Sequence, residues 1–427
     1  MNSYSFFKIL YILFFALASC NLEPLEVDQI QNFDKLYALS ENVEAIDFIC
    51  KPDASGYIVV GNIKKDENSD IIIIDIGADG MQKNLHRISS TTFDEAISVK
   101  LYEEDNSILI LGHRKSDRTQ ANIEQNVLIK SNLDGIPFRA DNASPEDSIS
   151  AEFKILSINT DQIVQLMDFV IYPPNLVAVG NIRQSATGAT SKITQIFDLN
   201  SANFNNSNDS ILDRLREIPD NIVYNNSSSL KVVKGNAPSA VYEVMGLNIT
   251  ENPNGEISQA SQNISWDVYT QIESGVPEPI FIGTDENEYF GDYLYHSNGK
   301  NYIAGNFIDS DTVFLITKEY TGANNNVGQK IYNTGEYGQK AVSLTEDIDG
   351  NIILATVNEV DNNTTESFLL KFSQSGEPIK DQDFVFESTG LYEIKKIESE
   401  PGNILVILSQ KRFENNSTAI GLMKIKF

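Results

Sequence analysis

Residues 56–62 read Gly-Tyr-Ile-Val-Val-Gly-Asn, and near-copies return as NLVAVGN at 175–181 and NYIAGN at 301–306. Apolar runs of the same kind stand at 57–60, 108–111, 176–179, 241–245, 302–304, 352–355 and 404–408. Five of them are followed by glycine: Gly61, Gly112, Gly180, Gly246 and Gly305. Equivalent positions lie from about 50 to just under 70 residues apart, the period of propeller blades with loop insertions.

Other strand-like segments keep a constant relation to these runs. Before them come AIDFICKPDASG, AISVKLYEEDN, AVSLTEDIDG and EIKKIESEPG, each an apolar segment ending in hairpin residues. After them come DIIIIDIGADG, NVLIKSNLDG, TVFLITKEYTG and SFLLKFSQSG, closed by Gly80, Gly135, Gly322 and Gly376. A more polar fourth segment follows, as in NLHRI, QKIYNTG and DFVFES. Runs that are apolar throughout are what strands buried on both faces look like. The expected fold is therefore all-β: a β-propeller of seven four-stranded blades, with six or eight as alternatives. The segment GLMKIKF at 421–427 reads as a third strand without a fourth. NFDKLYAL at 32–39 precedes the first full unit and fits the missing place, so the ring is expected to close by pairing the two. The stretch ILDRLREI (211–218) reads as a short helical insertion or another fourth strand, and 201–210 and 249–263 read as loops.

The first residues are MNSYSFFKILYILFFALASC. Lys8 and an uncharged run of about ten residues read as a signal-peptide core, too short to span a bilayer of about 30 Å. Leu17-Ala18-Ser19-Cys20 resembles the lipobox of bacterial lipoproteins. That resemblance implies cleavage before Cys20 and lipid on its sulfur and amine, with enough chains for stable anchoring. Asn21 stands where an inner-membrane retention signal of that family would have Asp, which favours the outer membrane. The division expected is a signal peptide at 1–19, a lipidated tether at 20–31 and the propeller at 32–427. Anchor and architecture together are similar to the propeller lipoprotein of the outer-membrane assembly machinery. This chain lacks the tryptophan-bearing blade repeats of that family.

The chain carries 32 Lys and Arg against 60 Asp and Glu, a formal charge of −28, or −29 once Lys8 is removed. Such acidity argues against nucleic acid as a partner. With lipid expected on the Cys20 sulfur, Cys50 is the one free cysteine, so no internal disulfide is expected. It sits in apolar AIDFIC and reads as a structural thiol. Catalytic signatures are missing from the sequence: there is no HExxH, GxSxG, CxxC or phosphate loop. With a single Trp266, the chain has neither sialidase-type Asp boxes nor the tryptophan docking motifs of quinone-dependent propellers. Three histidines, His86, His113 and His296, are too few and scattered for a His-based metal site. No cofactor is expected. Asp66, Asn68 and Asp70 have a spacing that could aim oxygens at Ca²⁺, although a solvated loop explains them as well.

One pattern suggests a ligand. Immediately after the second strand of four units stand Lys64-Lys65, His113-Arg114-Lys115, Arg183, and Lys411-Arg412. In a closed ring these units are consecutive. The equivalent places of the other three read LNIT, NFID and VNEV, without a basic residue. The plainer reading is that these cations neutralise acids such as Asp66, Asp117 and Glu414. The sharper reading is a basic arc for an anionic partner, since arginine gives bidentate contact to carboxylate or phosphate. The expected function is a non-catalytic binding or scaffold subunit for an outer-membrane protein or surface polymer. The alternative is a propeller lyase or hydrolase acting on an extracellular glycan with Tyr, Asp and Arg around the central channel.

Overall fold

The computed structural model describes residues 32–426 apart from 66–67, 89–92, 116–123, 139–153, 156–162, 184–189, 200–212, 218–229, 235–241, 252–256, 267–279, 283–287, 308–311, 319–330, 334–339, 362–363, 380–383, 388–390 and 414. The described residues contain no helix, and their strands form seven four-stranded antiparallel sheets. The first sheet is Asn42–Cys50, Gly56–Lys65, Asn68–Gly77 and Gln82–Ile88; the second is Phe93–Tyr102, Ser107–Lys115, Glu124–Asn132 and Lys154–Ile155. The third is Ile163–Tyr172, Asn175–Arg183, Thr190–Asp198 and Asp213–Glu217; the fourth is Leu230–Lys234, Tyr242–Glu251, Ile257–Trp266 and Ile280–Ile282. The fifth is Glu288–Tyr295, Asn301–Phe307, Thr312–Lys318 and Ile331–Asn333; the sixth is Lys340–Glu346, Ile352–Asp361, Thr364–Phe372 and Phe384–Glu387. The seventh joins Leu391–Glu400, Ile404–Arg412 and Thr418–Lys426 to Phe33–Tyr37, which pairs Phe33 with Lys424 and Tyr37 with Ile420. The first strand of each sheet packs against that of the next, and Leu391–Glu400 packs back against Asn42–Cys50. The arrangement is propeller-like.

One sequence expectation is corrected here and one open choice is resolved. Most of 249–263 is strand, not loop: Tyr242–Glu251 and Ile257–Trp266 pair in unbroken register from Tyr242–Trp266 to Glu251–Ile257. Asn and Ser in this hairpin disguise it, because cross-strand pairing and not composition fixes a strand. The strand Asp213–Glu217 settles ILDRLREI as a fourth strand, while 201–210 lies outside the described residues.

The core lies between sheets. Ile71, Ile72, Ile73 and Ile74 are all fully buried, as are Ile108, Leu109, Ile110 and Leu111. Alternate side chains of one strand join different clusters: Ile72 and Ile74 face Leu408, Ile420 and Leu422 of the seventh sheet, while Ile71 and Ile73 face Val99, Ile108 and Ile110 of the second. Each such side chain removed from water contributes roughly 1.5–3 kcal/mol. This two-sided burial is why the repeated phrase is apolar without alternation.

Its glycine has a separate cause. Six of the seven first strands carry a β-bulge: register slips between Ala45 and Asp47, Ala96 and Ser98, Leu166 and Asp168, Phe290 and Asp292, Ala341 and Ser343, and Ile394 and Lys396. The slip swings a backbone carbonyl over the partner residue on the second strand. A Cβ on Gly61 would lie 2.5 Å from Glu44 O, one on Gly112 2.8 Å from Glu95 O, and one on Gly180 2.2 Å from Gln165 O.

First and third strands end at one rim, in short turns. These turns repeat one design, as in 347–351. Gly350 has φ +75°, its N–H bonds Asp347 O at 3.0 Å, and Asp347 N–H bonds Asn351 O at 2.9 Å. Asp347 Oδ1 accepts the N–H groups of Asp349 and Asn351. Second and fourth strands end at the opposite rim. Phe33 begins at the turn rim, where the Gly80 turn rests on its ring.

Candidate functional site

The predicted cations do occupy one strand end in four adjacent sheets. They belong to the second strands themselves and not to loops beyond them, because those strands run on past the glycine. Lys64 faces Asn42 and Ser69 across the ladder, Lys65 faces Asn68, Lys115 faces Phe93, and Arg183 faces Ile163 and Thr190. Lys411 faces Tyr392 and Ala419, and Arg412 faces Leu391 and Thr418.

Their surroundings differ. The Lys64 ammonium, about half exposed, sits 2.8 Å from Glu44. Arg114 Nε lies 3.6 Å from Asp94 Oδ1, whose side chain is buried, so its charge is committed inward. The Lys411 ammonium stands 5.6 Å from the Phe413 ring, and Arg412 is exposed. Lys64 and Arg412 are thus the cations of this arc with described, water-facing side chains.

His113 does not belong to the arc. It is 2 % exposed, and its Nε2 lies 2.7 Å from Leu166 O of the third sheet. It holds the place of Asn in GYIVVGN, and that place is an inter-sheet clip. Asn62 accepts Ala96 N–H at 2.8 Å and reaches Ala96 O at 3.4 Å in the second sheet. Gln410 accepts Ala45 N–H at 2.6 Å and donates to Val43 O at 2.8 Å, joining the seventh sheet to the first. In the first, second and seventh sheets the residue here therefore binds the backbone of the neighbouring sheet.

The bulges build a second polar structure. The residue after each bulge is Asp47, Ser98, Asp168, Asp292, Ser343 or Lys396. Asp47 Oδ2 accepts Val99 N–H at 2.9 Å, Asp292 Oδ2 accepts Leu344 N–H at 2.8 Å, and Ser343 Oγ accepts Ile397 N–H at 3.3 Å. Each bond crosses to the next sheet at the same level. Ser98 Oγ stands 3.2 Å from both Asp47 and Asp168 carboxylates, and Lys100 lies 3.5 Å from Asp168. Lys396 Nζ donates to Asp47 Oδ1 at 2.6 Å and to Phe48 O at 2.8 Å, and meets Glu398 at 2.7 Å. Burial alone would raise the Asp47 carboxyl. The Lys396 and Lys100 ammoniums, with the bonds from Lys396 and Val99, outweigh it and hold the carboxyl at about 2. Burial would lower Lys396, but Asp47 and Glu398 push it up. In the fourth sheet Lys231 pairs with Met245 just as Asp47 pairs with Val60, so it takes the same register position.

Asp70 is buried, and Arg87 binds it through Nε at 2.7 Å while its NH1 reaches Glu41 at 2.7 Å. That guanidinium occupies the carboxylate proposed for Ca²⁺; Asp66 lies outside the described residues. Among the described residues no three His, Cys, Asp or Glu side chains are grouped to hold a metal. Burial, then Glu398 and Glu400, push the Cys50 thiol upward, so it stays protonated and a poor nucleophile. Cys20 lies outside the described residues.

No known family model and no curated protein matches the chain. Among solved structures, a protein of unknown function from Dyadobacter fermentans is 8 % identical, with a TM-score of 0.48, over 79 % of this chain and 94 % of that one. The phage phi92 endosialidase is 10 % identical with a TM-score of 0.47, over 86 % of this chain and 71 % of its own. An α-L-arabinanase from Penicillium chrysogenum is 11 % identical with a TM-score of 0.44, over 92 % and 97 %. Such likeness says nothing of chemistry.

Proposed function

We propose that the seven sheets close into a seven-bladed propeller, held by lipid on Cys20 at the outer membrane of a bacterial envelope. Its body is a non-catalytic binding or scaffold subunit for an outer-membrane protein or an anionic surface polymer. The observation that carries the reading is the state of the inner-strand carboxylates. Asp47, Asp168 and Asp292 are tied to neighbouring sheets by backbone N–H groups, Ser98 or lysines. The Asp47 carboxylate, held ionised at about 2 against its burial by Lys396 and Lys100, is poorly matched to proton transfer near neutral pH. Of the six residues inserted at the bulges, Ile46, Ile97, Met167 and Val342 are apolar and half-buried between buried neighbours, and the other two are Gly291 and Lys395. Binding then falls to the rim where second strands end, with Lys64, Arg183 and Arg412 as the cations to test.

The test is mild-detergent extraction of the tagged full chain from its native membranes, followed by identification of what co-purifies. A stoichiometric membrane protein or bound anionic polymer is expected. Reversing Lys64, Arg183 and Arg412 together to Glu should weaken that association about tenfold or more, as removal of a few rim charges does. Glycan captured and then shortened would overturn the scaffold in favour of a glycan lyase or hydrolase.

A further inference from the structure

Among the described residues, the large apolar side chains more than half exposed are Met81 at 57 %, Ile136 at 53 % and Ile348 at 61 %. All three sit at the turn rim. Met81 and Ile136 directly follow the turn glycines Gly80 and Gly135, and Ile348 lies inside the turn 347–351. They belong to the first and sixth sheets, which flank the seventh, and to the second, which packs on the first. The seventh is where the chain enters the fold, and it enters at this rim: Phe33 pairs with Lys424 near the end of Thr418–Lys426 and touches the Gly80 turn. Residues 21–32 lie between Cys20 and that point, a reach of at most about 43 Å at roughly 3.3–3.6 Å per residue.

We infer that the turn rim around the seventh sheet rests on the lipid surface, with Met81, Ile136 and Ile348 as its contacts, and that the basic rim faces away from the membrane. This rests on the lipid-anchored reading above. A tether of that length holds the rim where it begins close to the bilayer. Exposed apolar tips in a row beside it are what a membrane interface takes up. The charge selects the lipid. An exposed aspartate neighbours each tip, Asp79, Asp134 and Asp349. These carboxylates suit a zwitterionic surface with ammonium head groups and oppose an anionic one. The second-strand rim, carrying Lys64 and Arg412, is then left free for the partner.

The full lipidated chain is reconstituted in vesicles of phosphatidylethanolamine and phosphatidylcholine that carry a nitroxide on a fraction of head groups. Fluorophores are attached singly at Met81→Cys, Ile136→Cys, Ile348→Cys and, as the opposite-rim control, Asn415→Cys. All four positions are exposed, so labelling leaves the core intact. Quenching at 81, 136 and 348 is expected to exceed that at 415 several-fold, and to fall when phosphatidylglycerol replaces part of the lipid. Equal quenching, or stronger quenching at 415, overturns the orientation. Mass analysis of the same sample separates the two ideas. A Cys20 without acyl chains sinks the anchoring reading and the orientation with it. An acylated Cys20 with a quenched 415 probe sinks the orientation alone.

Discussion

In the first three sheets a single missing Cβ makes room for the bulge. Gly61 has no room for a methyl group, with Glu44 O at 2.5 Å and Ile420 Cδ1 at 2.8 Å from where it would stand. Gly61→Ala should cost about 1–3 kcal/mol, read as a lower urea midpoint at unchanged slope. The seventh sheet solves the same problem differently. Ser409 takes the glycine's place opposite Ile394, and Gly421 stands across from it on the third strand. A Cβ on Gly421 would fall 2.3 Å from Ser409 Oγ. Gly421→Ala should therefore destabilise, and Ser409→Gly in the same chain should recover part of the loss; strict additivity in that double-mutant cycle would refute the compensation. The repeated glycine is plain in the sequence. Its reason is not, because the carbonyl that crowds it comes from another strand and from a bulge no local pattern announces.

Between sheets, joints are made by polar residues that follow the bulges and, in the first, second and seventh sheets, by Asn62, His113 and Gln410. Removing the Asp47 carboxylate leaves Lys396 short of its closest partner and Val99 N–H without its acceptor. Asp47→Ala should cost about 2–4 kcal/mol, below the cost of breaking a fully buried pair because Lys396 keeps some contact with water. The same carboxylate gives a pH signature. Its folded value of about 2 lies below the unfolded value near 3.9, so its contribution is complete above about pH 4 and fades as pH falls through about 2. Wild type should lose about 2–3 kcal/mol more than Asp47→Asn between pH 5 and 2, and parallel acid-unfolding curves would contradict this. The joints were half legible. Polar residues recur in apolar first strands as IDF, ISV, MDF, GDY, VSL and KKI, and a comparison of units finds them. Their partners are not legible: Asp47 meets Lys396 across 349 residues. The same blindness made His113 look like a surface cation when it is a clip.

For the whole molecule, the seventh sheet matters most, since it alone joins residues from both ends of the described chain. Removing residues 1–31 should leave the thermal midpoint unchanged. Removing 1–40 withdraws Phe33 and Tyr37, each 8 % exposed, and bares the edge of Thr418–Lys426. That truncation should lower the midpoint by several degrees and promote self-association in sedimentation, because an open strand edge recruits another chain. A truncated chain that stays monomeric and equally stable would show the pairing to be dispensable. The architecture was legible because a period repeated seven times needs no partner to be seen. The fourth sheet was the exception, its Asn and Ser hiding Ile257–Trp266.

The same pairing sets an order in time. Val43 bonds Thr418 across 375 residues, and Phe33–Tyr37 finds its ladder only in Thr418–Lys426. As the polypeptide leaves the ribosome or crosses a membrane, its earliest folded-state strand must wait for one of the last. Until then that strand is an unsatisfied edge, and contacts of such separation form slowly. Completion of the seventh sheet thus works as a clock for the folding of the whole chain. Any interruption of synthesis before residue 418 leaves a product that is chemically sound for most of its length and yet still open.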